Sequence, residues 1–351
     1  MRKPLIYILL FIIAFGIIIG VFGIIGFDKI WNNLRSIGWD GFGLYFLVTL
    51  LALGMTGLGW WLSLHSYGIS VSFAKTAVGH LIGFGMNMLI PSMYIGGEPF
   101  RAYYIGKSYN IPKTQIFATA LFAKFVELIA FLLFLYFGTI VLCCQADESA
   151  EYKLNIILIA IDVVLTVVLA TLIWGIFKNI KVITRFLQFV KRLKICAKTI
   201  DKISPKVAEM EETVSHVFHT NWKTGIFVML CSLVSVGITF LKPAIIFYFL
   251  QSKSHMLSIG ELAAIFVITQ ILMSFHITPG GMGLVEGGNM VLFSYIGISS
   301  DIAAAYLLIS RFIDFFIAGS GCYLMVHYSL VKIGGKKIID VDEKELESLT
   351  K

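Results

Sequence analysis

The sequence predicts an all-α polytopic membrane protein with about six full spans, two re-entrant broken-helix hairpins and an inverted repeat. Counted as spans, the hairpins would bring the total to about eight. Three observations carry this prediction. The 351 residues are 58% hydrophobic and only 14% charged, with a mean hydropathy of +0.87, a composition outside the range of water-soluble globules. The apolar runs are long and continuous instead of alternating, which disfavours a β-barrel. Two breaks rich in glycine and proline interrupt apolar regions at matching spacing, the mark of an internal repeat.

Taken in order, Arg2 and Lys3 precede an apolar stretch from Leu5 to Phe27. That stretch is too long for a secretory signal and lacks a small-residue cleavage site, so it reads as a retained helix. Runs near 4 to 26, 42 to 64, 114 to 142, 155 to 177, 225 to 250 and 301 to 329 each reach the roughly 20 residues that cross a bilayer. The regions 75 to 106 and 259 to 297 are apolar but broken. The first break is Pro91-Ser92-Met93-Tyr94-Ile95-Gly96-Gly97-Glu98-Pro99-Phe100-Arg101, and the second runs from His276 through Pro279, Gly280, Gly281, Gly283 and Glu286 to Gly288. Proline lacks the amide donor and glycine gives up helix stability, so neither stretch continues a helix. In lipid an unpaired backbone group costs several kcal/mol, so a break at that depth is buried in protein or lines a wet cavity. Broken elements of this kind mark binding sites in transporters, whereas a surface loop between ordinary spans is the plainer alternative.

Pro91 precedes Glu98 by the same interval that separates Pro279 from Glu286. Downstream, Lys124 and Glu127 follow the first break as Arg311 and Asp314 follow the second, giving P-x6-E-x24/25-[KR]-x2-[DE] twice. The repeats read as about 42 to 142 and 225 to 329 within a bundle spanning 1 to 333, followed by a solvated tail at 334 to 351.

Lys and Arg accumulate on the cytoplasmic side of membrane proteins. Arg2 and Lys3 place the N-terminus inside, the acidic loop with Asp147, Glu148 and Glu151 falls outside, and Lys332, Lys336 and Lys337 place the C-terminus inside, as in a multi-pass protein of the cell (inner) membrane. The stretch 178 to 223 alternates basic residues, such as Lys181, Arg185, Lys191 and Arg192, with Phe186, Leu187, Phe189 and Val190. It reads as an amphipathic helix on the anionic inner leaflet, and that explains its charge more simply than nucleic-acid binding does. On this topology the first hairpin enters from the cytoplasm and the second from outside, so the repeats are inverted.

Lys124 with Glu127, and Arg311 with Asp314, share helix faces at i,i+3. Counted from Thr114 and Asp301, each cation sits roughly 15 Å along its helix, near the bilayer midplane. A charge there costs about 2.5 to 3.5 kcal/mol on insertion scales and needs a partner or water. Either the pairs are structural ion pairs, or they form a polar midplane site in which Lys124 and Arg311 attract phosphate. Glu98 and Glu286 open restarting helices, where a carboxylate is stabilised by the helix dipole. Alternatively each meets a cationic amine while the free amides hold an anion. Arg101 is expected at the cytoplasmic mouth, snorkelling or paired with Glu98. Lys242-Pro243 is expected to break its span, and Asp162 is a weaker polar candidate. His80 and His276 match no metal-ligand spacing, and no cofactor or metal is implied. Cys143 and Cys144 are adjacent, and Cys196, Cys231 and Cys322 are scattered, so no disulfide framework is read.

The stretch Thr278 to Glu286, with Ser310-Arg311-Phe312-Ile313-Asp314 and the earlier Pro91 to Arg101, resembles the transmembrane module of the lysylphosphatidylglycerol synthase/flippase family over residues 1 to about 330. The resemblance implies a flippase moving a phospholipid such as aminoacylated phosphatidylglycerol, which in full-length members lowers surface charge and resists cationic antimicrobial peptides. Those members also carry a soluble acyltransferase domain, whereas this sequence ends in a short tail, so tRNA-dependent transfer is not expected of it. Ala123-Lys124 departs from the acidic-arginine pair frequent in the family. The expected site is Glu98, Arg101, Lys124, Glu127, Pro279, Gly280, Gly281, Glu286, Arg311 and Asp314 around a phospholipid headgroup. Rival readings are an intramembrane transferase with Glu98 or Glu286 as base, and a non-catalytic membrane partner of a separate synthase. A homo-oligomer is compatible with each.

Overall fold

A computed structural model describes residues 27–90, 96–145, 222–250, 257–274 and 278–328, together with part of 159–221. The span expected at 4 to 26, the acidic loop, Pro91 to Ile95, Asp162, His276 and the tail lie outside the described residues. The described residues are helical and contain no strand. The helices are α1 (Phe27–Ser66), α2 (Phe73–Leu89), α3 (Glu98–Tyr109), α4 (Lys113–Gln145), α5 (Val182–Arg192), α6 (Trp222–Leu250), α7 (Ile259–Ser274), α8 (Leu284–Tyr295) and α9 (Ser300–His327), with a short 3-10 turn at Pro279–Gly281. Among the described residues, four helices are long and apolar enough to cross a membrane: Arg35–Ser66 within α1, Lys113–Cys144, Lys223–Leu250 and Ser300–His327. This is an all-α membrane protein.

Local chemistry sets the boundaries. Ser72 caps α2 by accepting the Lys75 amide at 3.4 Å. Asn110, in the left-handed region at φ 54°, closes α3. The expected break at Lys242-Pro243 does not occur: α6 runs through Pro243 without interruption. A proline inside a packed transmembrane helix removes one amide donor but leaves the flanking turns to hold the helix. α1 instead carries a departure at Gly38 (φ 63°, ψ 179°).

Helix directions follow from side-chain pairings. Along α1, Gly41, Ala52 and Gly59 face Phe249, Ser235 and Cys231 of α6 in turn, with Ser235 Oγ donating to the Ala52 carbonyl at 2.9 Å, so α1 and α6 are antiparallel. Phe42 meets Phe312 and Phe46 meets Phe316, so α9 runs with α1. Val228 packs between Phe122 and Val126, and Phe240 against Phe134 and Phe137, so α4 runs with α6. α1 and α4 therefore oppose each other, and the chain between them returns to the side it left. α3, at 12 residues, spans about 18 Å, too short to cross, and α2–break–α3 is a hairpin. The same argument makes α7–break–α8 a hairpin between α6 and α9. The parallel pair α4 and α6 requires a crossing between them, the interval in which part of 155 to 177 is described as helix.

The order α1, α2, α3, α4 thus recurs as α6, α7, α8, α9. The hairpin helices have 17 and 12 residues in one set and 16 and 12 in the other. Helices holding the same place in the two sets run in opposite directions. The packing also exchanges: α2 lies against α9, as α7 lies against α4. The α2–α9 crossing is close because both helices present glycine. A Cβ on Gly85 would stand 2.6 Å from the Ala318 carbonyl oxygen, and one on Gly321 would stand 2.0 Å from that of Leu81. One apolar cluster surrounds the second hairpin (Tyr45, Phe247, Phe293, Tyr306, Ile313) and another the first (Trp60, Ile82, Tyr104, Ile116).

Candidate functional site

The turn of the second hairpin meets the end of α2 inside the bundle. Gly280 adopts φ 62°, open to glycine at little strain, and its α-carbon faces Phe315 of α9 and the Met88 sulfur at the end of α2. The turn is internally satisfied: the Gly281 amide donates to the Thr278 carbonyl at 2.9 Å and the Thr278 hydroxyl to the Met282 carbonyl at 2.8 Å. Gly283, at φ 86°, then opens α8. Pro279, Gly280 and Gly281 therefore shape the tip that delivers Glu286.

Both oxygens of Glu286 are used. Oε2 accepts the Gly283 amide at 2.6 Å, closing the first turn of α8, and Oε1 accepts from Nε of Arg311 on α9 at 2.6 Å. Both residues are 7% exposed. Nη1 and Nη2 of Arg311 are buried and have no hydrogen-bond partner among the described residues. The guanidinium thus binds Glu286 through Nε and keeps the fork of its two terminal nitrogens open. Asp314, one turn on, does not receive Arg311; the helix-face pair expected from i,i+3 spacing gives way to a pair across helices. Asp314 is half-buried and, with Arg311, acts by its charge on Tyr45 of α1. The Tyr45 hydroxyl faces that of Tyr306, and the Lys242 ammonium lies 5.1 Å from the Tyr45 ring centre.

The first half-site is built differently. Arg101 is not at a mouth but 2% exposed, and it pairs through Nε with Glu98, itself 1% exposed. Its Nη1 lies 3.1 Å from His80 Nδ1, its Nη2 donates to the Ala120 carbonyl at 3.1 Å, and its plane sits 4.5 Å from the Trp60 ring centre. Each nitrogen has a polar contact, that of Nε being the ion pair with Glu98 and not a hydrogen bond. The hairpin is fastened by Asn87, whose Oδ1 accepts the Gly97 amide at 2.7 Å. Lys124, the sequence counterpart of Arg311, pairs within its own helix with Glu127 at 2.9 Å and is partly exposed, at 23% for the lysine side chain. The deep cation of this half is therefore Arg101. Its own counterpart in the second half is Asn289, which donates to the Val285 carbonyl at 2.9 Å and accepts from Thr269 at 2.7 Å.

Sequence reasoning missed Trp60, Thr56, Asn87, Tyr45 and Tyr306, which are ordinary residues of apolar helices until the fold brings them to the cations. His80 lies 11 residues before the first break, where its spacing offers only the metal-ligand reading. No cluster of three or more His, Cys, Asp or Glu residues suited to a metal occurs among the described residues.

An all-α bundle with two inward hairpins and buried ion pairs at the starts of α3 and α8 defines a polytopic membrane protein with a buried polar centre. The model of the lysylphosphatidylglycerol synthase TM region matches residues 9–321, and the chain belongs to that family. It is 27% identical over 334 residues to UPF0104 membrane protein MJ1595 of Methanocaldococcus jannaschii, covering 93% of this chain and 97% of that one. A UPF0104 membrane protein of Methanothermobacter thermautotrophicus is 22% identical over 273 residues (77% and 80% covered), and PH1989 of Pyrococcus horikoshii 25% over 283 (78% and 82%). No solved structure matches. Family membership points to a role connected with membrane lipids.

Proposed function

We propose that the chain is a lipid translocator that holds the phosphate of a phospholipid headgroup on Arg311 while the acyl chains stay in the bilayer. The open Nη1/Nη2 fork of a buried guanidinium carries this reading. Leaving such donors unmade costs about 1–3 kcal/mol or more, and an oxyanion with two free oxygens satisfies both at once. Glu286 fixes the guanidinium from behind, so the fork is oriented before the ligand arrives. Tyr45, Tyr306 and Lys242 add donors nearby, and Asp314 supplies a carboxylate for a headgroup that carries an amine. Two inward hairpins, in sets of helices that run in opposite directions, suit alternating access. Aminoacylated phosphatidylglycerol is the lipid the family suggests.

The transferase reading is weaker, because Glu98 and Glu286 are both engaged by arginines and neither stands as a free base. The basic face of α5, with Arg185 and Arg192 beside exposed Ile183, Phe186 and Phe189, is assigned to the anionic inner leaflet. Transport is tested in proteoliposomes holding fluorescent phospholipids with anionic, aminoacylated and polyprenyl-phosphate headgroups, bleached from outside by a reductant. Headgroup-dependent loss of the protected fraction is expected. Full protection of every lipid would refute a translocator.

A further inference from the structure

We propose that His80 accepts the proton that couples to lipid movement, and that its protonation releases Arg101 from the first half-site. The coupling rests on the translocator reading; the proton chemistry stands by itself. His80, on α2, is buried, and both its ring nitrogens are occupied. Arg101 Nη1 has only protons to offer, so the Nδ1 that it approaches at 3.1 Å is a bare lone pair. The ring proton therefore sits on Nε2 and is donated to Thr56 Oγ1 at 2.9 Å, while the Thr56 hydroxyl donates to the Leu53 carbonyl at 2.9 Å. The hydrogen bonds close only with a neutral imidazole.

The neighbours of the ring come from three helices. α1 brings Thr56 and Trp60, whose ring centre is 6.5 Å from the imidazole. α3 brings Arg101 with Glu98 behind it, and α4 brings Ala120 and, further off, Lys124 with its partner Glu127. α9 meets α2 through the Gly85–Gly321 crossing. When a proton from water forms the Nδ1–H bond, the acceptor becomes a donor and the bond from Nη1 is lost. Two cations then stand side by side, and the one carboxylate in contact, Glu98, pairs with Arg101 and not with His80. Arg101 leaves the Trp60 face and the Ala120 carbonyl, the contacts through which it ties α3 to α1 and α4. Return of the proton to water restores them, so one proton is taken up and one released per cycle.

Two measurements on the full chain in nanodiscs and proteoliposomes test this. Trp60 emission, isolated by subtracting Trp60→Phe, reports the guanidinium on its ring. It is expected to titrate as a single group, the charged fraction changing about tenfold per pH unit away from the midpoint. The profile is expected to be flat in His80→Gln, whose side-chain carbonyl accepts from Nη1 without titrating. Should Trp60→Phe fail to fold, imidazole 15N shifts, with His80→Gln identifying the resonance, read the same titration. Transport of fluorescent phosphatidylglycerol is expected to follow pH in the wild type and to lose that dependence in His80→Gln. A flat wild-type profile, or a titration that survives His80→Gln, overturns His80 as acceptor. A titrating signal with pH-independent transport overturns the coupling. Absence of any transport overturns the translocator reading and the coupling with it, while the Trp60 signal still decides the proton site.

Discussion

At the residue scale, the two buried arginines have different roles although each pairs with a glutamate at the start of a restarted helix. Arg101 is saturated by Glu98, His80 and Ala120, which is the pattern of a structural fastener. Arg311 is fastened at one nitrogen and, among the described residues, open at two, which is what the proposed headgroup site uses. Asn87 illustrates how the hairpin is held: Asn87→Ala leaves the Gly97 amide buried without its acceptor, a loss of about 1–3 kcal/mol. A lower melting temperature in detergent checks this, and an unchanged one would show that the Gly97 amide finds another acceptor. The carboxylates and Arg311 were legible in the sequence from proline-to-glutamate and glutamate-to-cation spacing. Their partners were not. Linear spacing says which residues share a helix face, but it does not say that Arg311 reaches across to α8 instead of down to Asp314. Nor does it separate a buried i,i+3 pair such as Glu98–Arg101 from an exposed one such as Lys124–Glu127, because Trp60 and His80 arrive from elsewhere in the chain.

At the element scale, hydropathy located α1, α4, α6 and α9, and Gly and Pro located both breaks, because a bilayer allows few alternatives to a helix of sufficient length. The proline rule misled at α6, where neighbouring helices support the backbone that Pro243 interrupts. The α2–α9 crossing was hidden, since a glycine inside an apolar helix carries no label for what approaches it. It is now testable: Gly321→Ala places a methyl 2.0 Å from the Leu81 carbonyl oxygen and should destabilise by about 1–3 kcal/mol or more, whereas Gly319→Ala, with nothing within 4 Å, should be near neutral. Thermal unfolding of the two variants decides, and equal melting temperatures would mean that the crossing is looser than described.

For the whole molecule, helix directions place His65, Lys75, Lys107, Lys113 and Lys223 on one rim, and Glu261, Asp301 and Asp40, with Arg35, on the other. On the excess of Lys at the first rim, we propose that this rim faces the cytoplasm. Single cysteines at Lys107 and Ser258, in a background without native cysteine, should therefore be labelled by an impermeant maleimide from opposite faces of sealed vesicles; labelling of both from one face would contradict the hairpin topology. The two half-sites are unequal, and the proposed transport depends on that inequality. The most direct measurement compares Arg311→Gln with Arg101→Gln in the leaflet-sidedness assay, alongside their melting temperatures. Arg311→Gln should abolish headgroup-dependent translocation with a nearly unchanged melting temperature, and Arg101→Gln should lower the melting temperature first. Translocation at the wild-type rate by Arg311→Gln would contradict the account.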